Sequence, residues 1–276
     1  MRRYSFIIIS AFLFFIPQAN SKAASPDTHV LLESLFRRIL NTNDDSERIR
    51  LNDSVQVIID SYAASDSVFT HKFSGLRYLG QIVSSDSKVK IITWNLILRE
   101  SGNKYFCYII RKGAHGEMNK VHKLTGENRE EGPASDRTYS EKDWYGALYY
   151  SLQQFKKDNE THYLILGIDY GNSTTTRKII DVMTFTPGGD IIFGNNCLRK
   201  DEKLSSRVVI EYFSEGVITL RMLSPKTVVF DHLASISGDQ KNEAKLMGSD
   251  YYYDGYTFKK GFWRFTSNVD ARNKKK

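Results

Sequence analysis

Asp231 and His232 follow directly on the apolar run Val228 to Phe230, placing a carboxylate and an imidazole at the end of a strand-like segment. Those two side-chain types most often share proton-transfer work. Adjacent strand residues point to opposite faces, however, so the pair is not expected to serve each other directly. The plainer alternative has Asp231 capping a turn while His232 packs or meets solvent. Further on, Asp250 to Gly255 reads Asp-Tyr-Tyr-Tyr-Asp-Gly, with acids at the first and fifth positions of a calcium-type loop and glycine at the sixth. Tyr252 occupies the third position and Gly261 the twelfth, so two oxygen ligands are missing and a tight turn explains Asp254 and Gly255 better. Hydrolysis of a glycan or peptide would need paired acids. Asp169, Asp181, Asp231 and Asp254 are the candidates because they sit at expected strand ends or turns, and glycosidases hold two carboxyls roughly 5 to 10 Å apart across a cleft.

Trp144 and the consecutive Tyr251, Tyr252 and Tyr253 are the aromatic candidates for a binding surface, since these rings combine contact area with a polar handle. The same rings suit sheet cores. Three tyrosines in a row must nevertheless show both faces of a strand, which brings at least one ring to solvent. Other signatures are missing from the sequence: no Gly-x-Ser-x-Gly elbow, no His-Glu-x-x-His helix, no phosphate loop ending in Lys-Ser or Lys-Thr, and no Cys-x-x-Cys. His115, His122 and His162 do not stand at metal-ligand spacing with another ligand. His115 and His122 lie in a charged stretch where exposure is the expectation. No metal and no cofactor is therefore expected. Cys107 and Cys197 are the only cysteines. In an oxidising compartment they could close a disulfide worth on the order of 4 to 5 kcal/mol in the chain-entropy model. The alternative is two separately buried thiols.

The elements that must position these residues change character along the chain. From 27 to 70, Val30, Leu31, Leu35, Ile39 and Leu40 recur at helical spacing behind Asp27 and Thr28, and Ile49, Val55, Ile58, Ile59 and Tyr62 do so behind the cap candidates Asp45 and Ser46. The short polar link Asn41 to Asp45 predicts an antiparallel helical hairpin. From 76 to 268 the period falls to two. Val89 to Leu98 with Lys104 to Ile110, Trp144 to Phe155 with Thr161 to Ile168, and Arg207 to Phe213 with Val217 to Leu223 read as hairpins. Arg177 to Phe185, Ile191 to Phe193, Val228 to Phe230, Tyr251 to Phe258 and Phe262 to Phe265 read as further strands. The expectation is a mainly β domain, an antiparallel meander of about ten to twelve strands arranged as a barrel, a sandwich or an incomplete propeller. Gly113 to Asp143 and Ser235 to Asp250 read as surface excursions.

Met1, Arg2 and Arg3, the apolar run Phe6 to Ile16 and the small-residue exit through Ala19 and Ser21 make residues 1 to 21 a secretory signal peptide. The run is too short for a permanent membrane helix, which takes roughly 20 apolar residues, and no later window is apolar enough to span. The formal net charge of +7 is concentrated at the ends, in Arg2 and Arg3 and in Arg272, Lys274, Lys275 and Lys276. The folded body is close to neutral, and 269 to 276 reads as a basic disordered tail. Nucleic acid is accordingly not an expected partner.

The order of segments is itself informative. Trp94-Asn95, then Trp144-Tyr145-Gly146-Ala147-Leu148-Tyr149-Tyr150, Lys178-Ile179-Ile180-Asp181-Val182, Val229-Phe230-Asp231-His232-Leu233, Tyr253-Asp254-Gly255 and Gly261-Phe262-Trp263 together resemble a family of uncharacterised exported proteins of Gram-negative bacteria. The resemblance spans residues 30 to 270 and implies a periplasmic or outer-envelope location. It carries no activity or catalytic residue across. The expected function is a non-catalytic binding or envelope-assembly module with an envelope protein or glycan as partner, the alternative being an envelope hydrolase acting on glycan or peptide.

Overall fold

The computed structural model describes residues 26–114, 117–127, 129–235 and 247–271, so the expected leader and most of the basic tail lie outside the described residues. Helix α1 (Pro26–Asn41) and helix α2 (Asp45–Ala64) form the hairpin expected from the sequence. Asp44 is the cap, accepting the Ser46 amide, one residue before the sequence candidates. Asp45 instead turns outward to accept the Arg99 amide at 2.7 Å. The buried stripe of α1 is Leu32, Leu35, Phe36 and Ile39, whereas Val30, Leu31 and Leu40 are exposed. The buried four stand at i, i+3, i+4 and i+7, the spacing of a single helix face, so the expected stripe is off centre in taking Val30, Leu31 and Leu40 in place of Leu32 and Phe36.

Four strands follow, β1 (Gly80–Val83), β2 (Val89–Leu98), β3 (Gly102–Arg111) and β4 (Lys120–Glu127), making an antiparallel sheet in that order. A second sheet comprises β5 (Tyr139–Ser140), β6 (Leu148–Lys157), β7 (Glu160–Asp169), β8 (Thr175–Phe185) and β9 (Ile191–Phe193), in the order β5-β9-β8-β7-β6. After β10 (Leu198–Lys200) and β11 (Lys203–Ser205), β12 (Arg207–Phe213) joins this second sheet on the β8 edge that β9 leaves free. The third sheet adds β13 (Leu220–Ser224), β14 (Thr227–Ser235), β15 (Met247–Lys259) and β16 (Phe262–Thr266), in the order β11-β10-β16-β15-β14-β13.

The protein is mainly β, with helices preceding antiparallel-rich sheets that do not close into a barrel. Consecutive hairpins dominate, as the turn chemistry predicts, but the one expected from Arg207 to Phe213 with Val217 to Leu223 does not form, because β12 pairs with β8 and β13 with β14 in different sheets. Three pairings depart from a simple meander: β5 with β9, β12 with β8, and the parallel pair β10 with β16. Two expectations fail in the excursions. Gly113 to Asp143 contains β4, a full member of the first sheet, and the hairpin arms β14 and β15 run into the second excursion as far as Ser235 and from Met247. The expected disordered tail also begins too early. Val269 donates to the Tyr253 carbonyl at 2.7 Å, and Ala271 is buried with its carbonyl held by Arg221 at 3.0 Å.

Three hydrophobic clusters show how the layers stack. One joins the helices to one face of the first sheet, through Leu32, Leu51 and Val55 against Ile92, Trp94 and Phe106. The next fills the space between the first and second sheets, with Ile91, Tyr105 and Cys107 against Tyr149, Ile165 and Ile179. The last lies between the second and third sheets, with Leu164, Leu166 and Ile180 against Val228, Tyr256 and Trp263. Even and odd residues of β2, β3, β7 and β8 therefore enter two different cores rather than alternating between core and water. The helical hairpin is not a separate unit: Asn52 accepts the Trp94 indole N–H at 2.8 Å and Asp60 accepts the Tyr108 hydroxyl at 2.7 Å.

Lys90 is the costly member of this arrangement. It is 1% exposed, and its ammonium donates to the Tyr62 hydroxyl and to the Val68 and His71 carbonyls at 2.7 to 2.9 Å, with no carboxylate among them. Burial, with Lys72 adding repulsion, lowers its pKa to about 8 from 10.5. The unfolded chain thus holds a proton that the folded chain has shed between those values, so stability rises with pH across that window and the penalty is fully present below pH 8. Urea unfolding of the wild type is expected to show this rise from pH 8 to pH 10, and Lys90→Met to lose up to about 3 kcal/mol of it. Identical pH slopes for the two proteins would refute the assignment. A second test concerns Gly126, where an added Cβ would lie 2.4 Å from the Gly146 Cα. Gly126→Ala is expected to lower stability by about 1 to 3 kcal/mol in the same assay.

Candidate functional site

Two arginines stand inside apolar strands, where they need a strong reason to be. Arg177 in β8 and Arg207 in β12 are 1% and 0% exposed. Arg207 Nε donates to Asp181 Oδ2 at 3.0 Å, and the Tyr145 hydroxyl donates to the same oxygen at 2.8 Å. The Val182 amide holds the other carboxylate oxygen at 2.6 Å. Because the Tyr145 proton is committed to Asp181, the Tyr149 hydroxyl must be the donor in their 2.9 Å contact, and it in turn accepts the Trp144 indole N–H at 2.9 Å. The result is a directed chain, Trp144 to Tyr149 to Tyr145 to Asp181, closed by Arg207.

Arg177 repeats the arrangement one pairing away. Its Nη1 reaches Asp169 at 3.0 Å and its Nε reaches Glu211 at 2.8 Å. Asp169 also accepts the Tyr105 hydroxyl of the first sheet and the Gly171 amide, each at 2.9 Å. Further guanidinium hydrogens of both arginines go to backbone carbonyls of the β4 to β5 connection, and Arg207 Nη2 also donates to the Phe193 carbonyl of β9 at 3.2 Å. Arg129 and Glu130 accept from Arg177, and Ala134 and Arg137 accept from Arg207.

Burial pushes the Asp181 carboxyl above the usual carboxylate range, against the pull of Arg207, Tyr145 and the Val182 amide. For Arg207 burial acts against charge, but Asp181, Tyr145 and Tyr139 together outweigh it and the guanidinium is held protonated. Burial also drives the Tyr145 and Tyr149 hydroxyls far up. These groups are enclosed, so the arrangement is chemically suited to holding layers together rather than to meeting a substrate.

The third sheet carries the remaining candidates. Asp231 Oδ2 accepts the Thr219 amide at 2.9 Å. His232 Nδ1 lies 2.8 Å from Asp254 Oδ2, with side chains 45% and 9% exposed. Asp231 and His232 thus serve different partners, as strand geometry predicts. Asp254 pairs with Phe230 and Tyr253 with Asp231, so the two acids occupy opposite faces of the sheet. The tight turn expected at Asp254 and Gly255 is not there. Both residues lie within β15, and Gly255 is required because a Cβ would stand 2.5 Å from the Val228 carbonyl oxygen. Tyr252 is 61% exposed, Tyr253 is half-buried, and the side chain of Tyr251 lies outside the described ones.

Trp144, buried between the first two sheets, is therefore separated from Asp231, His232 and the tyrosines by a whole layer. Asp169 and Asp181 belong to one layer and Asp231 and Asp254 to another, so the four acids do not frame a common cleft. The disulfide is not formed: Cys107 and Cys197 are free buried thiols in different core clusters, and burial raises both, Cys197 to about 12. No group of three metal-ligating side chains occurs among the described residues. Two hollows of about 370 and 360 Å³ lie on the helical hairpin and between it and the segment before β1, lined by residues such as Arg38 and Thr42 or Leu40 and Tyr78.

His122, expected in a surface excursion, is buried in β4 with Nδ1 2.6 Å from Glu141. His115 lies outside the described residues. The signal for β4 was present as alternation, since His122, Leu124 and Gly126 all face inward. The roles of Arg177 and Arg207 were signalled only by their charge next to Ile179 and Val208.

Removal of one partner from the enclosed pair should strand the other charge. Asp181→Ala is expected to cost about 3 to 5 kcal/mol of unfolding free energy, and Asp181→Leu combined with Arg207→Met to recover most of it. Additive losses in the double variant would show that the pair is not coupled. No protein-family model, no curated protein and no solved structure matches this chain.

Proposed function

We propose that the chain is an exported, non-catalytic binding or envelope-assembly module of a Gram-negative bacterium, with an envelope protein or a glycan as partner. The observation that carries this reading is the distribution of the four candidate acids. Asp169 and Asp181 are consumed by buried arginines, tyrosines and backbone amides, and Asp231 holds the Thr219 amide. None of these is poised across a cleft from another. The leader, Met1 to Ser21, and the resemblance of the motif order to exported proteins support the location.

A second reading, an envelope hydrolase, is favoured by one contact: His232 reaches solvent while Asp254 orients its ring from below. The two readings separate experimentally. The purified protein is expected to release nothing from a panel of peptidoglycan, polysaccharides and peptides. Turnover that disappears in both His232→Gln and Asp254→Asn would establish the hydrolase and overturn the binding reading. For the location, mass spectrometry of periplasmic material is expected to find an N-terminus at Lys22, and an intact Met1 on cytosolic protein would refute export.

A further inference from the structure

The outward face of the third sheet carries cations without carboxylate partners at its β10 and β16 end. Arg199 and Arg264 stand opposite each other across the parallel pairing. Both guanidiniums lie over the Phe262 ring, 4.3 and 5.9 Å from its centroid. The register sets Lys259 opposite Phe262, Thr257 opposite Arg264 and Leu204 opposite Arg199, so all of these share one face. Leu198, Tyr256 and Trp263 point the other way, into the core.

Arg177 and Arg207 are fully paired, but Arg199, Lys259 and Arg264 enter no ion pair among the described residues. Arg199 Nε is in addition shielded from water and has no hydrogen-bond partner. Asp201 and Glu202 in the neighbouring turn are exposed and form no ion pair with these cations among the described residues. Further along the same face, Val269 packs over Gly255 and the segment ending at Ala271 closes the sheet. Among the described residues that segment stops short of the cationic strip, where Arg199 and Arg264 are partly exposed.

We propose that this strip docks the protein on an anionic lipid bilayer through its headgroup phosphates. A guanidinium presents a planar fork of N–H donors that matches two phosphate oxygens, and two such forks are held here by one aromatic ring. Leu204, 37% exposed, and Phe262 add apolar surface beside the charges, as interfacial contacts require. The inference deepens the binding-module reading and rests on it.

The test is co-sedimentation of the full processed protein with vesicles of phosphatidylcholine mixed with phosphatidylglycerol, and with phosphatidylcholine alone. Binding is expected to the mixed vesicles only and to be released by high salt. Arg199→Gln combined with Arg264→Gln is expected to weaken it about twenty-fivefold, near fivefold per charge. Lys259→Gln, at an exposed strand end, is expected to weaken it about fivefold and serves if the double variant unfolds. An equal loss from Arg37→Gln combined with Arg38→Gln on the helices would mean that net charge alone acts, and would overturn the proposal. So would binding lost on deletion of residues 272 to 276 but kept in the double variant, or binding to duplex DNA or an acidic polysaccharide with none to vesicles. Absence of vesicle binding with hydrolysis also absent overturns this inference alone, whereas hydrolysis overturns the binding-module reading whatever the vesicles show.

Discussion

The central strands of two antiparallel sheets here have no face toward water, and every polar group that enters them must find its partner inside. Antiparallel sheets commonly keep one solvated face. The helices cover one side of the first sheet and the third sheet covers one side of the second, while the first two cover each other. Charge that enters such a stack is tolerated only when hydrogen-bonded and paired. Asp181 with Arg207 and Asp169 with Arg177 meet that condition, and the tyrosines extend it by giving their hydroxyl protons to the same acids.

The arginine pairs also explain how a long connection can be ordered without secondary structure of its own. Residues 129 to 137 have little apolar content, and their fixed position comes from carbonyls accepting guanidinium hydrogens. One arginine thereby satisfies an acid within the sheet and a loop outside it. Lys90 works in the same way without an acid, tying the carbonyls of Val68 and His71 to β2.

The interior acids are committed to holding layers, whereas His232 and the cationic strip lie on the exterior of the third sheet. The strip differs from the interior in one respect: its guanidiniums are held by aromatic stacking and not by carboxylates, which leaves their charge available.

The sequence by itself determined the helical hairpin, most hairpin strands and the mainly β class, because those depend on spacing within short windows and on turn residues such as Gly102, Gly189 and Gly261. It also showed that adjacent Asp231 and His232 would not share work, since strand geometry is local. Tertiary structure alone decided which apolar face met which layer: alternation in β2 or β8 looks the same whether the second face meets solvent or another core. Short pairings such as β5 with β9 and β10 with β16 were likewise invisible, being too brief to carry a period. Most partners of Arg177, Arg207 and Lys90 come from segments tens of residues away. No local pattern encodes contacts of that range, which only the packing of layers brings within hydrogen-bond distance.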